Sequence, residues 1–229
     1  MKAAAIKRHL QGVSLFKGLS EEELEQIVGI AQLRPYAARS FVFMQGDLLD
    51  RVFFIYSGKV KIHKTDVAGK EQIVSILQAG DMFPHAGFFR GGDFPAHAEI
   101  IETAELIVIP VGSFEKILLT YPELCVKMFK MLGEKIVDLQ NRLEEKILRD
   151  TYEQIVMLLL RLCKSNGVML GGNYKFTSHF TNRELANMIG TSRETINRTI
   201  SQLRKKNVIA LDEEGFFVIN VHKLKAETL

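Results

Sequence analysis

The chain has 229 residues, 47% of them apolar and 25% charged, with a formal net charge of +3. That is the make-up of a soluble globular protein of one large or two ordinary domains, and it excludes a disordered, collagen-like or globally polybasic chain. The positive excess is local: eleven of the 30 basic residues but only eight of the 27 acidic ones lie from Asp150 onward, so an anionic partner is expected in the C-terminal third. No uncharged apolar run approaches the ~20 residues of a membrane span, and Lys7 and Arg8 interrupt the start that a secretory signal would need. A cytoplasmic location with no membrane partner is expected. Cys125 and Cys163 are isolated in apolar runs, which reads as buried thiols and not as a disulfide or ligand pair.

In chain order, Ser20 with Glu23 forms a capping box for a short helix whose Leu24, Ile27 and Val28 share a face. From Phe41 to Pro110 short β-rich runs follow: FVFM, RVFFIY, KVKIHK, QIVSIL, AEII and ELIVI. They are separated by the turn signals QGD, SGK, AGK, AGD and GGD, a spacing that predicts an all-β barrel or sandwich. Ser113 is the expected cap of a short helix from Phe114 to Leu119. Pro122 opens a longer helix reaching about Arg149, with Leu132, Ile136, Leu139, Leu143 and Ile147 at near-heptad spacing. That stripe could pack on the chain's own β-domain or form a homodimer seam. A ~28-residue helix is ~42 Å long, more than a small barrel covers, which favours the seam.

Asp150 with Glu153 starts a new helix and a second domain, followed by a glycine-rich hairpin in NGVMLGGNY. The boundaries expected are 1–119 for the β-domain, 120–149 for the long helix and 150–229 for the C-terminal domain. In FTNRELANMIGTSRETINRTISQLRKKNVIALDEEGFFVI, Thr181 with Glu184 and Thr191 with Glu194 are read as two capping boxes, with Gly190 at the turn between. Ile196, Ile200 and Leu203 face inward, and VIAL and FFVI joined by DEEG make a hairpin wing. The result is a winged helix-turn-helix. Arg193, Glu194, Asn197 and Arg198 lie opposite the apolar face, near the N-terminal end, where a recognition helix meets base edges. Arginine suits guanine O6 and N7, and glutamate accepts from cytosine N4. Thr181, Thr191, Ser192, Arg204, Lys205 and Lys206 are the expected backbone contacts.

TSRETINRTISQLRKKNVI resembles the recognition helix of the Crp/Fnr family of bacterial transcription regulators. FMQGD, FFIYSGKVKI and LQAGDMF resemble that family's cyclic-nucleotide-type jelly roll. The resemblance implies an α+β chain: a jelly-roll sensor, a dimerisation helix, a hinge at Leu148 to Asp150 and a winged helix-turn-helix. Arg193, Glu194 and Arg198 match the family's Arg-Glu…Arg set, which implies a homodimer on a TGTGA-N6-TCACA-like palindrome of double-stranded DNA, with RNA polymerase as a further partner.

The sensor segment departs from the nucleotide-binding pattern. His85 stands where the resemblance requires Glu, and Pro95-Ala96 stand in place of Arg-Ser. Leu139 and Gln140 replace the Thr-Ser pair for the adenine. Cyclic AMP is therefore not the expected effector, although Arg90 is close by, and the small-molecule effector is unknown. The pocket positions named by the resemblance are Phe83, His85, Gly87, Phe88, Arg90, Pro95, Ala96, Leu139 and Gln140. Two isolated cysteines do not make the oxygen-sensing members' iron–sulfur set. His85 after GDMF is similar to the carbon-monoxide-sensing haem members, so a haem or metal ligand, with His97 as a companion, is the alternative to a hydrogen-bonded loop histidine. No cofactor is assigned. An enzyme reading on His63, His85, His97, Asp81, Asp93 and Glu99 lacks clustered ligand spacing and is set aside. FPHAGFF…PAHAE is similar to regulators of the arginine deiminase pathway, so anaerobic or arginine catabolism genes are the expected targets.

Overall fold

The computed structural model describes residues 2–89 and 91–228. They form two compact units, Met1–Ile136 and Val137–Leu229.

The first unit begins with α1 (Lys2–Gly12), a short 3-10 turn, and α2 (Glu21–Ile30). Helix α1 is absent from the sequence expectations. Its signal was present: Ile6, Leu10 and Val13, at spacings of a helical face, are all buried. Helix α2 has the expected box, Ser20 Oγ accepting from the Glu23 N–H while the Glu23 carboxylate accepts from the Ser20 N–H. Strands β1 (Gln32–Tyr36), β2 (Phe41–Phe43), β3 (Arg51–Thr65), β4 (Glu71–Gln78), β5 (Met82–Phe83) and β6 (His97–Pro110) build one antiparallel sheet. Its order is β1-β6-β3-β4, with β2 added on β6 and β5 on β3.

Two expected breaks do not occur. RVFFIY and KVKIHK are one strand, and so are AEII and ELIVI. SGK is not a turn but a bulged stretch where the β3–β6 register shifts. Gly58 sits there at φ +84°, and a Cβ on it would lie 2.6 Å from the backbone of Thr103 and Ala104, so only glycine lets β6 approach. The sheet's interior holds Phe43, Phe53, Phe83 and Phe94, with Phe43 stacked on Phe94 at 3.6 Å and Phe53 on Phe83 at 5.1 Å. A second cluster joins α1, α2 and the helices after the sheet through Phe16, Phe54 and Phe114.

Helix α3 (Val111–Thr120) starts earlier than its expected Ser113 cap. Pro110 occupies the cap position, and the Val111 N–H is anchored on the Asp50 carbonyl at 2.8 Å. Helix α4 (Pro122–Leu148) is the long helix, with proline at its first position. Cys125 is half-buried and donates to the Leu118 carbonyl.

The second unit holds the end of α4 and then α5 (Thr151–Asn166), capped by Asp150 and Glu153 as the sequence predicts. Cys163 is buried on α5, and burial pushes its thiol up to about 12. A four-stranded antiparallel sheet, order β7-β8-β10-β9, is formed by β7 (Gly167–Leu170), β8 (Asn173–Phe176), β9 (Ile209–Leu211) and β10 (Phe217–Asn220). Helices α6 (Asn182–Ile189) and α7 (Arg193–Lys205) lie between its hairpins in sequence, and α8 (Val221–Lys225) leads into a 3-10 turn, Ala226–Thr228. Among the described residues no helix is long and apolar enough to cross a membrane.

Candidate nucleic-acid interface and sensor interior

Helix α6 is delimited by local chemistry. Thr181 Oγ1 accepts from the Glu184 N–H at 3.1 Å, and the Glu184 carboxylate returns to the Thr181 N–H at 2.8 Å. At the other end Gly190 adopts φ +78°, and the N–H groups of Gly190 and Thr191 both reach the Ala186 carbonyl. The chain then reverses into α7.

The second capping box is not formed as expected from Thr191 and Glu194. Ser192 is the cap, accepting from the Thr195 N–H at 3.1 Å, because Thr191 is still spent on closing α6. The Glu194 carboxyl is held below its usual range, first by its own backbone N–H and then by the Ser192 hydroxyl.

Helix α7 has two faces. Ile196, Thr199, Ile200 and Leu203 are buried, and Arg193, Glu194, Asn197, Arg198, Arg204 and Lys205 are exposed. Thr199 was not expected inside; its place three residues after Ile196 is the signal for it. Asn197 is not wholly free, since its Oδ1 accepts from Asn182 Nδ2 at 3.3 Å across the two helices. A cavity of about 310 Å³ lies beside them, lined by Ser178, His179, Thr181, Asn182, Asn197 and Arg204 among others.

The wing between β9 and β10 is folded by Asp212, whose Oδ1 accepts from the N–H groups of Glu214 and Phe216. Lys175 pairs with Asp212 at 2.7 Å, and His179 stacks on Phe216 at 3.8 Å. Lys206 differs from its basic neighbours: it is ion-paired to Glu227.

These two units each match a family model. Residues 33–121 match the cyclic nucleotide-binding domain and residues 153–227 the Crp-like helix-turn-helix domain. The chain belongs to the Crp/Fnr family. It is similar to the CRP-like cAMP-activated global transcriptional regulator of Mycobacterium tuberculosis, with 24% identity over 94% of this chain and 96% of the relative. It is also similar to the anaerobic regulatory protein of Bacillus subtilis, with 26% identity over 88% and 85% of the two chains. Among solved structures, FixK2 from Bradyrhizobium japonicum shares the fold with a TM-score of 0.75 at 19% identity, covering 86% of this chain and 96% of that one. The protein is thus a DNA-binding transcription regulator of the Crp/Fnr family.

The residues expected at one effector pocket of this Crp/Fnr regulator are divided, Leu139 and Gln140 belonging to the second unit. Phe83 is buried in the sheet interior, whereas Phe88 turns to Phe114 at 5.5 Å in the helical cluster. Gly87 has φ +113°, and a Cβ there would meet Leu49 Cδ1 at 2.4 Å. Ala96 is buried and Pro95 exposed. Leu139 and Gln140 are exposed on α4. Arg90 lies outside the described residues. The His85 imidazole is pushed down to about 4, first by burial and second by Lys135, so it is neutral near pH 7.

A neutral imidazole could ligate a haem or metal, but its expected companion is committed elsewhere. His97 is the cross-strand partner of His63, stacked on it at 4.9 Å, and its Nδ1 accepts from the Gln45 N–H at 3.1 Å. Among the described residues no group of three His, Cys, Asp or Glu side chains is placed to hold a metal ion. A two-histidine ligand set from His85 and His97 therefore does not fit. The His63–His97 pair, with Glu71 3.8 Å from His63 Nε2, was missed in the sequence because its partners lie on separate strands.

Proposed function

We propose that this regulator acts as a homodimer on a TGTGA-N6-TCACA-like palindrome. In this reading Arg193, Glu194, Asn197 and Arg198 meet base edges in the major groove, while Thr181, Thr191, Ser192, Arg204 and Lys205 meet the backbone. The observation that carries it is α7 itself: four exposed polar side chains stand opposite the buried row of Ile196, Thr199, Ile200 and Leu203, directly after a capped N-terminus. The homodimer reading is supported by α4, where Val126, Phe129, Ile136, Leu139, Leu143 and Ile147 are all exposed. RNA polymerase is the further partner implied by the family.

The sensor does not answer cyclic AMP in the usual way. Pro95-Ala96 stand where the family pattern has the arginine that neutralises the phosphate, and His85 where it has the glutamate that holds the ribose hydroxyl, so the usual contacts to a cyclic nucleotide are missing. Anaerobic or arginine catabolism genes are the proposed targets. The FPHAGFF…PAHAE resemblance and the similarity to an anaerobic regulatory protein support this.

The test is binding to the palindrome and to a scrambled duplex by fluorescence anisotropy, with and without cyclic AMP. Arg193→Ala is expected to cost ~1–3 kcal/mol on the palindrome and to relax preference at one base pair. An equal loss on both duplexes would refute direct readout, and a large affinity gain with cyclic AMP would refute the sensor reading.

A further inference from the structure

A side-chain hydrogen bond joins α6 to α7: Asn182 Nδ2 donates to Asn197 Oδ1 at 3.3 Å. Both residues stand on backbone that is fixed locally. Asn182 is the first residue of α6, directly after the Thr181 cap, and is half-buried. Asn197 is exposed on α7, in the turn after the Ser192 cap. At about 100° per residue it lies about 40° around the axis from Arg193 and about 60° from Glu194, between the two and one turn further along. The buried row of Ile196, Thr199, Ile200 and Leu203 centres about 110° away from it. Asn197 is therefore within the arc of α7 read as meeting base edges.

A carboxamide has a donor end and an acceptor end, and the end that faces outward decides what it can read. In the major groove a keto base, guanine or thymine, presents an acceptor oxygen where an amino base, adenine or cytosine, presents an N–H donor. With Oδ1 turned to α6, Asn197 shows the groove its NH2 end. The two-point contact of asparagine with adenine needs both ends on one base, so this arrangement disfavours it. The pair lines a cavity of about 310 Å³. The amide has room to turn, so the hydrogen bond, and not a close-packed wall, sets its sense.

We propose that Asn182 is a positioning residue for base readout: it holds the Asn197 amide with the NH2 end outward, so that Asn197 selects a keto base at one position of the half-site. The inference rests on the reading of α7 as the DNA-binding helix and deepens it. Asn197 becomes a donor to the groove, and a residue outside α7 chooses that role for it.

The experiment measures full-chain binding by anisotropy to a panel of palindromes in which each half-site position in turn carries its transition partner, guanine for adenine or thymine for cytosine and the reverse. Wild type is expected to favour the keto base roughly three- to tenfold at one position, the worth of one hydrogen bond, and Asn197→Ala to lose that preference. In Asn182→Asp the carboxylate can only accept, so the Asn197 NH2 turns inward and its carbonyl outward; the preference at the same position should invert to the amino base. The added negative charge weakens every duplex alike and cancels in the ratio, and an acidic residue suits the first turn of α6. Asn182→Leu, of similar size but with no partner to offer, should reduce the preference below about twofold. A keto preference that survives in Asn182→Asp would overturn the proposal. So would a wild-type preference for the amino base at the Asn197 position, or an Asn197→Ala variant with every preference unchanged. Wild type that bound the palindrome no better than a scrambled duplex would instead refute the reading of α7 on which the proposal stands.

Discussion

Leu143→Ala is the sharpest test of the α4 seam. Leu143 is 61% exposed in the single chain, although it is apolar and lies on a stripe with Ile136, Leu139 and Ile147. Truncation removes about three methylene equivalents, worth ~2.4 kcal/mol at full burial with ~0.8 kcal/mol for each. Only the exposed share is left for a partner to cover, which gives ~1.5 kcal/mol per chain. A two-fold seam contains the position twice, so the dimer should weaken by ~3 kcal/mol, about a hundredfold in dissociation constant. Sedimentation equilibrium over a dilution series measures this directly, with circular dichroism to check that the monomer fold is kept. A shift smaller than about fivefold would refute the stripe as the seam, as would a wild type that stays monomeric at high concentration.

Other outcomes follow from the same structure. His85 is held at about 4 in the fold against 6.5 for a free imidazole, so the unfolded chain binds the extra proton across that window. Stability is then fully present above pH 6.5, falls as the pH drops towards about 4, and levels off below; His85→Gln should flatten that part of a denaturation-against-pH profile. The loss attributable to this one group is up to about 3 kcal/mol. Gly58→Ala should destabilise the first unit by at least ~2 kcal/mol, read as a lower urea midpoint, because it combines a positive φ with a backbone clash. If it is tolerated, β6 does not need that close approach.

Much of this architecture was legible because it is local. Capping boxes at Ser20, Asp150 and Thr181 each need only two residues three apart, and each formed as expected. The two faces of α7 follow from a 3.6-residue period that any reader of Ile196, Ile200 and Leu203 can apply. The errors lie where a local signal had two meanings. SGK reads as a turn, but Gly58 served a close approach by a strand more than 40 residues away, and no local pattern distinguishes the two. Thr191 and Ser192 are both competent caps; the choice was made by the Ala186 carbonyl, which had already engaged Thr191.

The candidate sites divide in the same way. The sequence by itself determined the polar face of α7 and the replacement of the pattern's Glu by His85 and of its Arg-Ser by Pro95-Ala96, since residue identity and spacing suffice for both. Only the tertiary structure decided that Phe83 and Phe88 serve different cores, that His97 belongs to His63, and that Lys206 belongs to Glu227. Each of these is a pairing between residues distant in the chain or pointing apart, and which partner a side chain meets depends on strand register and helix placement that no single segment encodes.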